Sequence, residues 1–171
     1  MTIKKDLYIK IKKIKLLALD FDGVLTDGFV YVDQRGREMV CCSRRDTLGL
    51  GMLKNKGIEV IVISKEKNPV VGVRCKKMQI KYWTGVDSGE NKLSILKKVM
   101  ERLGLNPNNV CYVGDDINDL LCIKYAGFGV TVADGNEKNK KEADYITKRK
   151  GGKHAVREIC DFILSVIGND C

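Results

Sequence analysis

Short apolar runs alternate with segments of helical periodicity along most of this chain. Four of the runs are typical of buried strands: residues 16–19, 58–63, 110–113 and 129–132. Apolar residues recur at helical spacing in four further segments: residues 47–56, 70–77, 92–103 and 119–125. This alternation predicts an α/β fold in which helices cover both faces of a central parallel sheet. Such sheets bind their ligands beyond the carboxyl ends of the strands.

One segment interrupts the alternation of strands and helices. Residues 28–43 have the pattern of a two-stranded ribbon, and residues 33–36 (Asp-Gln-Arg-Gly) are typical of its turn. Because the ribbon follows the first strand directly, we expect it to project over the carboxyl edge of the sheet.

Capping residues indicate where several helices begin. Asp46 is a predicted N-cap, and Asn68 is predicted to cap the next helix, with Pro69 at its first position. A final amphipathic helix is predicted over residues 155–167.

No linker divides the chain. Its 171 residues include two prolines and no low-complexity stretch, and this length suits one compact domain. We therefore predict a single domain over residues 1–171, with the ribbon at 28–43 and a C-terminal helix and tail at 153–171.

The composition excludes several classes of site. A single histidine, His154, excludes any zinc site that needs two histidines. Seven cysteines, an odd number without a CxxC pair, indicate free thiols in a reducing compartment. The sequence has no run of about 18 uncharged apolar residues, so we predict no membrane span and expect a cytoplasmic protein.

The chain is strongly basic, with 31 Lys and Arg residues against 22 Asp and Glu residues and a net charge of +9. This balance favours anionic partners. The lysines are dispersed and few aromatic residues lie among them, so we do not predict that the chain binds nucleic acid.

Acidic residues follow two of the predicted strands. Asp20 and Asp22 come directly after the first strand. A second group follows the third strand: Asp115, Asp116 and Asp119. Like charges at a strand end are costly unless a cation or a reaction uses them. Carboxylates at the ends of two adjacent strands make an oxygen-rich pocket that suits Mg²⁺, and we therefore predict a magnesium site here.

Four short motifs occur in order along the chain. The first spans residues 20–24 (Asp-Phe-Asp-Gly-Val) and the last spans residues 114–119 (Gly-Asp-Asp-Ile-Asn-Asp). Between them, Ser64 ends the second strand and Lys92 lies at the start of a helix. This series resembles the haloacid dehalogenase superfamily of phosphotransferases over residues 15–167. The resemblance implies a three-layer, Rossmann-like fold.

The resemblance also implies a role for each motif residue in a Mg²⁺-dependent phosphatase. Asp20 would be the nucleophile that forms an aspartyl-phosphate, and Asp22 would act as general acid and then as general base. Asp20, Asp22 and Asp115 would bind the metal. Ser64 and Lys92 would hold the phosphoryl oxygens. Two further acidic residues would be auxiliary groups: Asp116 and Asp119.

The spacing of the motifs leaves no room for a separate cap domain. Only the ribbon and one helix are predicted between Asp20 and Ser64, and only one helix and one strand between Ser64 and Lys92. An uncapped enzyme needs another cover to exclude water. The chain is similar to the sugar-acid phosphatase branch, whose members form tetramers in which ribbons and C-terminal segments close adjacent sites. The resemblance thus implies a homotetramer.

The segment after Ser64 bears on the substrate. Members of this branch act on phosphorylated 3-deoxy-2-ulosonic sugar acids, and residues 64–68 (Ser-Lys-Glu-Lys-Asn) depart from the Thr-Gly-Arg pattern of the eight-carbon enzymes. Glu66, Arg74 and Lys77 look more like positions that touch the sugar in phosphatases of nine-carbon acids. Glu66 would accept hydrogen bonds from hydroxyl groups, and the two cations would attract a carboxylate. The resemblance favours a nine-carbon acid 9-phosphate of the KDN or acylneuraminate type, with KDO 8-phosphate as the alternative.

A function without catalysis is a second alternative. The same branch includes the C-terminal domains of some acylneuraminate cytidylyltransferases, and the animal examples are oligomerisation modules that tend to lose catalytic acids. Asp20, Asp22 and Asp115 are all present in this chain, and this favours an enzyme.

Overall fold

The structure is a computed structural model that describes residues 5–168. Eight strands occur in these residues: β1 (Leu16–Leu19), β2 (Tyr31–Val32), β3 (Glu38–Met39), β4 (Glu59–Ile63), β5 (Lys81–Trp83), β6 (Val110–Gly114), β7 (Phe128–Thr131) and β8 (Tyr145–Ile146). Six of them form a parallel sheet in the order β5-β4-β1-β6-β7-β8. The other two, β2 and β3, form an antiparallel ribbon after β1.

Helices cover both faces of this sheet. The described residues contain seven of them: α1 (Lys5–Lys12), α2 (Arg44–Asn55), α3 (Pro69–Met78), α4 (Gly89–Arg102), α5 (Leu120–Tyr125), α6 (Glu137–Glu142) and α7 (Ala155–Ile167). The predicted α/β class with a central parallel sheet is therefore confirmed, and α7 has the predicted bounds.

The central strand β1 shows why the strand sequences are continuously apolar. Its four side chains are all buried. Leu17 and Leu19 pack into the core that contains residues of α1, α2, α3 and α7, whereas Leu16 and Ala18 pack into the core beneath α4 and α5. A parallel strand buried on both faces has no polar face to alternate with its apolar one. The carboxyl end of β1 therefore leads directly from the core to Asp20.

The start of α2 differs from the prediction. Asp46 is not the N-cap; Ser43 is, and its Oγ accepts hydrogen bonds from the N–H groups of Arg45 (3.1 Å) and Asp46 (3.4 Å). Asp46 lies in the first turn instead, where it accepts a hydrogen bond from the N–H of Arg157 at 2.8 Å. The carboxylate of Asp46 therefore binds the start of α7 and does not cap α2. For α3, the predicted cap is confirmed, because Asn68 Oδ1 accepts from the N–H of Val70 at 3.0 Å.

The ribbon lies in the predicted segment, but fewer of its residues pair between the two strands than its length suggests. Tyr31 pairs with Met39 and Val32 with Glu38, and the N–H of Gly36 closes the turn on the carbonyl of Asp33. Nearer the sheet, a single bridge joins residues 26 and 42. The two arms therefore meet at the base and at the tip.

The cysteines are free thiols in the described residues. Four are buried: Cys75, Cys111, Cys122 and Cys160. Cys171 and the end of the predicted tail lie outside the described residues. Among residues 5–168, no helix has the length and apolar character needed to cross a membrane. The cytoplasmic location stays a prediction.

Candidate active site

A cavity of about 690 Å³ opens at the carboxyl edge of the sheet. Its walls come from the segments after β1, β4 and β6, and its outer side comes from the ribbon, including Val30 and Glu38. Asp20, Asp22, Ser64 and Asp115 all line it. The topology explains this convergence, because β1 lies between β4 and β6 and all three strands point the same way.

The floor of the cavity is a buried charged group. Lys92 is fully buried, and its Nζ lies 2.6 Å from Asp20 Oδ2 and 2.8 Å from Asp119 Oδ1. Asp20 is 5% exposed, and its other oxygen, Oδ1, accepts a hydrogen bond from the N–H of Phe21 at 2.6 Å. Lys92 reaches this position from the first turn of α4. A lysine from α4 and a carboxylate from β1 are thus held in direct contact.

Asp119 has no free capacity on either oxygen. Its Oδ1 also accepts from the hydroxyl of Tyr112 at 2.7 Å, and its Oδ2 accepts from the N–H groups of Asp115 (3.1 Å) and Asp116 (3.4 Å). These contacts fix the carboxylate that, together with Asp20, holds Lys92. Asp119 therefore positions the lysine and the loop after β6. Asp116 caps the 3₁₀ turn Ile117–Asp119.

Asp115 lies against the loop after β1. Gly23 adopts φ +71°, and a Cβ built there would stand 2.0 Å from Asp115 Oδ2. A glycine is therefore required at residue 23, both for the backbone conformation and for the approach of the carboxylate. Asp22, one residue earlier, is more exposed, and its Oδ1 accepts from the hydroxyl of Thr26 at 3.3 Å.

The pKa values of these groups are strongly perturbed. Burial and the negative charge of Asp119 raise the pKa of Asp20 well above its usual value, and Lys92 offsets this only in part. Burial, Asp119 and Asp116 raise the pKa of Asp115 to about 7. Burial lowers the pKa of the Lys92 ammonium, but Asp20 and Asp119 raise it by more, so the net direction is upward. The site thus holds more negative charge than Lys92 balances.

The donor set fits a magnesium ion. Carboxylate oxygens of Asp20, Asp115 and Asp119 lie within 4.8 Å of one another. Because Asp119 is saturated by four donors, Asp20 and Asp115 are the side chains that remain for a metal. Hard oxygen ligands and surplus negative charge are what Mg²⁺ requires.

Ser64 and Glu66 hold the loop after β4. The buried Ser64 Oγ accepts from the N–H of Glu66 at 3.1 Å. Glu66 Oε1 accepts from the N–H groups of Lys67 (2.6 Å) and Asn68 (2.8 Å). Glu66 lines the cavity as predicted, but half of its carboxylate is committed to its own loop.

Arg74 and Lys77 are not brought to this cavity. Arg74 Nη2 donates to the carbonyl of Ser43 at 3.2 Å and to Thr47 Oγ1 at 2.5 Å. The guanidinium therefore joins α3 to the start of α2. A contact of these two residues with a substrate stays a prediction that the cavity of a single chain does not support.

Several cavity residues were not predicted from the sequence. They are Glu38, Lys65, Lys67 and Asp87. Glu38 lies on the ribbon, where the turn at residues 33–36 and the alternation would have located it. Asp87 lies just before α4, and its Oδ1 accepts from Asn91 Nδ2 at 2.8 Å. Nothing in its sequence context marks it apart from other residues near a helix start.

The chain has relatives among known proteins. The family model of haloacid dehalogenase-like hydrolases matches residues 49–159. The 3-deoxy-D-manno-octulosonate 8-phosphate phosphatase KdsC of Escherichia coli K12 is 38% identical over 167 residues, which cover 97% of this chain and 87% of that protein. The Yersinia pestis protein of the same name is 32% identical over 163 residues, 95% of this chain and 86% of its own.

Solved structures give the same result. The 3-deoxy-D-manno-octulosonate 8-phosphate phosphatase of Moraxella catarrhalis, solved with magnesium, phosphate and KDO, has a TM-score of 0.92 at 37% identity and covers 98% of this chain and 95% of its own. The cobalt-bound Haemophilus influenzae phosphatase has a TM-score of 0.86 at 32% identity, with coverages of 93% and 92%. The chain belongs to the haloacid dehalogenase-like hydrolases. The predicted family, phosphatase class and magnesium cofactor are thereby confirmed.

Proposed function

We propose that this haloacid dehalogenase-like hydrolase removes the phosphate from a phosphorylated 3-deoxy-2-ulosonic sugar acid. The observation that carries the proposal is the Asp20–Lys92–Asp119 group at the floor of an open cavity lined by Asp22 and Asp115. Relatives that align along nearly their whole length are phosphatases of KDO 8-phosphate. KDO 8-phosphate is therefore the first candidate substrate.

A nine-carbon acid 9-phosphate is the second candidate. Glu66 occupies the third position of a segment that reads Thr-Gly-Arg in the eight-carbon enzymes, so the guanidinium expected there is replaced by a carboxylate. Glu66 Oε1 is bound to its own loop, which leaves Oε2 to accept hydrogen bonds from sugar hydroxyls. This exchange of charge at the cavity wall favours a substrate whose sugar differs from KDO.

In the proposed first step, Asp20 attacks phosphorus as the P–O bond to the sugar breaks, and the carboxyl of Asp22 gives its proton to the departing oxygen. Burial raises the pKa of Asp22, which is the direction that a proton donor requires. In the second step, Asp22 takes a proton from water, and that water displaces Asp20 from phosphorus. Asp20 is thus regenerated and inorganic phosphate leaves.

Other groups stabilise the charge on the phosphoryl oxygens. Lys92, held by Asp119, stands beside Asp20 where the phosphoryl group arrives, and Ser64 supplies a hydroxyl donor from the end of β4. Asp20, the backbone carbonyl of Asp22 and Asp115 would hold Mg²⁺. Magnesium there supplies positive charge that lowers the cost of one anion attacking another.

One assay tests the proposal. Phosphate release in the presence of MgCl₂ is measured for KDO 8-phosphate, KDN 9-phosphate and N-acetylneuraminate 9-phosphate, for the wild type and for Asp20→Asn. We expect one acid to be clearly preferred and the variant to be inactive. Equally feeble rates on all three acids would remove the substrate assignment, and full activity of Asp20→Asn would remove the nucleophile.

A second copy of the chain is the cover we propose for the cavity. The ribbon exposes large apolar side chains beside the opening: Phe29 (73% exposed), Tyr31 (67%) and Met39 (62%). Monomers seldom expose such a contiguous apolar patch. Light scattering after gel filtration should give the mass of a tetramer for the wild type. The double change Phe29→Ser and Tyr31→Ser should lower the mass, and Ile146→Ser, at an exposed residue of β8, should not. A double variant with the same mass as the wild type would overturn the proposal that the ribbon forms the contact between copies.

A further inference from the structure

Helix α6 is anchored by a polar side chain. Of its six described residues, Asn139 is the buried one, and it is fully buried. Its Nδ2 donates a hydrogen bond to the backbone carbonyl of Asp116 at 2.7 Å. Its Oδ1 is also buried, and this oxygen has no hydrogen-bond partner among residues 5–168, which the structure describes. The amide of Asn139 therefore makes a contact with the loop after β6 and leaves its own oxygen unsatisfied.

Stability alone does not explain an asparagine at this position. Apolar side chains are usual on the inner face of a surface helix. A buried acceptor without a partner costs free energy, and a leucine of similar size would not carry that cost. The hydrogen bond to Asp116 is what distinguishes asparagine from leucine at residue 139. The consequence of that bond for the loop after β6 is therefore the property to explain.

The loop after β6 is held by two parts of the chain. Asp119 Oδ2, within the loop, accepts from the N–H groups of Asp115 and Asp116. From the start of α6, the N–H of Asn136 donates to the carbonyl of Asp115 at 2.6 Å. Asn139 supplies the donor for the carbonyl of Asp116. All four backbone polar groups of these two aspartates are thus bonded, and two of the four bonds come from the segment of α6.

The position of the Asp115 carboxylate depends on this backbone. A Cβ built on Gly23 would stand 2.0 Å from Asp115 Oδ2, so the carboxylate lies tightly against the loop after β1. Mg²⁺ demands near-ideal octahedral geometry from its ligands. A small rotation of the peptide between Asp115 and Asp116 would displace the carboxylate, and the metal would then be held less well. Groups that orient metal ligands are known to tune metal affinity strongly.

We propose that Asn139 is a positioning residue for magnesium. By bonding the carbonyl of Asp116, it fixes the peptide that follows Asp115 and so increases the affinity of the site for Mg²⁺. Asn139 does not line the cavity, and it acts only through the loop after β6. This inference rests on the proposed function, in which Asp115 holds the metal.

The test measures magnesium binding and stability separately on the full chain. MgCl₂ is titrated into the protein by calorimetry, without substrate and at fixed ionic strength, and urea denaturation is followed in EDTA. Asn139→Leu removes the donor and keeps the size, whereas Asn139→Asp keeps the shape and replaces the donor by an acceptor. The control Val166→Ala shortens a buried side chain of α7. Asp115→Asn serves as the reference for loss of a metal ligand.

We expect Asn139→Leu to raise the Kd for Mg²⁺ roughly tenfold, as for other residues that orient metal ligands. Its urea midpoint in EDTA should change little, because removal of the unsatisfied oxygen opposes the loss of the hydrogen bond. Asn139→Asp should also weaken binding, although its added negative charge by itself would attract the cation. Val166→Ala should lower the urea midpoint and leave the Kd unchanged.

Three results would overturn the inference. They are a wild-type Kd in Asn139→Leu, tighter binding in Asn139→Asp, and an equal loss of affinity in Val166→Ala, which would trace the effect to stability alone. A different pair of results would overturn the proposed metal placement, and the inference with it. These are a wild type that takes up no Mg²⁺, and an Asp115→Asn variant that binds Mg²⁺ as tightly as the wild type.

Discussion

The floor and the mouth of the cavity differ in how their charged side chains are buried and paired. On the floor, Asp20, Lys92 and Asp119 are buried and tied together at 2.6 and 2.8 Å, and Tyr112 adds a further donor. At the mouth, most of the charged residues are exposed, and Lys67 has no acceptor among the described residues. Buried charges are costly unless they are paired, so the floor admits little variation. The exposed loop after β4 can change its side chains at small cost in stability.

This difference separates the reaction from the choice of substrate. In the proposed function, the floor supplies groups that any phosphate ester needs, and its side chains are held by hydrogen bonds before the substrate arrives. The mouth presents groups that meet the rest of the molecule. Substitutions in the two regions should therefore separate catalytic rate from affinity, and the following experiments test that separation in order of expected effect.

The largest effect is expected from Lys92→Met, which removes the cation of the floor. Asp20 and Asp119 would then be buried carboxylates without a partner, and breaking a buried ion pair in this way costs about 3–5 kcal/mol. Activity should fall by at least about a hundredfold, because a donor to the transition state is lost. Urea denaturation measures the loss of stability and phosphate release measures the loss of activity. Lys98→Met, at an exposed residue of α4 outside the cavity, is the control for both measurements. Wild-type stability in Lys92→Met would contradict the buried arrangement.

A smaller effect is expected from a substitution at Gly151, whose backbone packs against the loop after β1. A Cβ on Gly151 would stand 1.7 Å from the carbonyl oxygen of Gly23, next to the loop that holds Asp22. Gly151→Ala must therefore displace one of the two backbones, and a displacement of about 1 Å costs on the order of a hundredfold in rate. We expect kcat to fall with little change in KM.

Gly51→Ala is the matched control for this substitution. A Cβ on Gly51, within α2, meets no atom within 4 Å, and alanine is favoured over glycine in a helix by about 1 kcal/mol. Gly51→Ala should be fully active and slightly more stable. If the two alanine variants had equal activity, the support of the catalytic loop by residue 151 would be disproved.

Magnesium should stabilise the floor by binding the folded state. At a concentration 100 times its Kd, a ligand specific for the native protein adds about 2.7 kcal/mol. Thermal melts should shift upward with MgCl₂ in the wild type and only slightly in Asp115→Asn, because Asp115 is one of the two side chains left for the metal. KCl at the same ionic strength serves as the control. An equal shift in both proteins would exclude Asp115 as a ligand.

Much of the fold was predictable because its signals are local. Strand β1 and helix α7 are apolar in the pattern that their burial demands, and the structure has them at the predicted bounds. Helix α6 reads Glu-Lys-Asn-Lys-Lys-Glu, without an apolar residue to reveal it. Strand β8 is only two residues long, and it is a strand because it pairs with β7, where Tyr145 lies opposite Val130. Such elements depend on tertiary contacts that no local pattern encodes.

The candidate site divides in the same way. Asp20, Ser64 and Asp115 follow strands, and the parallel topology brings strand ends together, so their convergence could be predicted. Arg74 could not be placed, because its side chain direction depends on how α3 packs against α2. The position of the His154 side chain could not be predicted either. Its Nδ1 lies 2.8 Å from Ser43 Oγ, at the start of α2, and His154 does not line the cavity.

The smallest effect is expected at the link between the ribbon and the loop of Lys67. Asn68 Nδ2 donates to Glu38 Oε2 at 2.9 Å, and this bond fixes one wall of the mouth against another. Glu38→Ala removes a half-buried hydrogen bond worth about 1 kcal/mol, which corresponds to a change of roughly fivefold. KM for the sugar-acid phosphate should rise by about that factor while kcat stays constant, and the melting temperature should fall by only a few degrees.

The control for Glu38 is Glu101→Ala, which removes the same charge from an exposed residue near the end of α4. It should leave KM unchanged, because its carboxylate lies outside the cavity. Removing negative charge at residue 38 also favours an anionic substrate, and this opposes the loss of the bond to Asn68. The sign of the change in KM therefore decides between the two roles of Glu38: a rise means that the ribbon positions the loop, and a fall means that its charge repels the substrate.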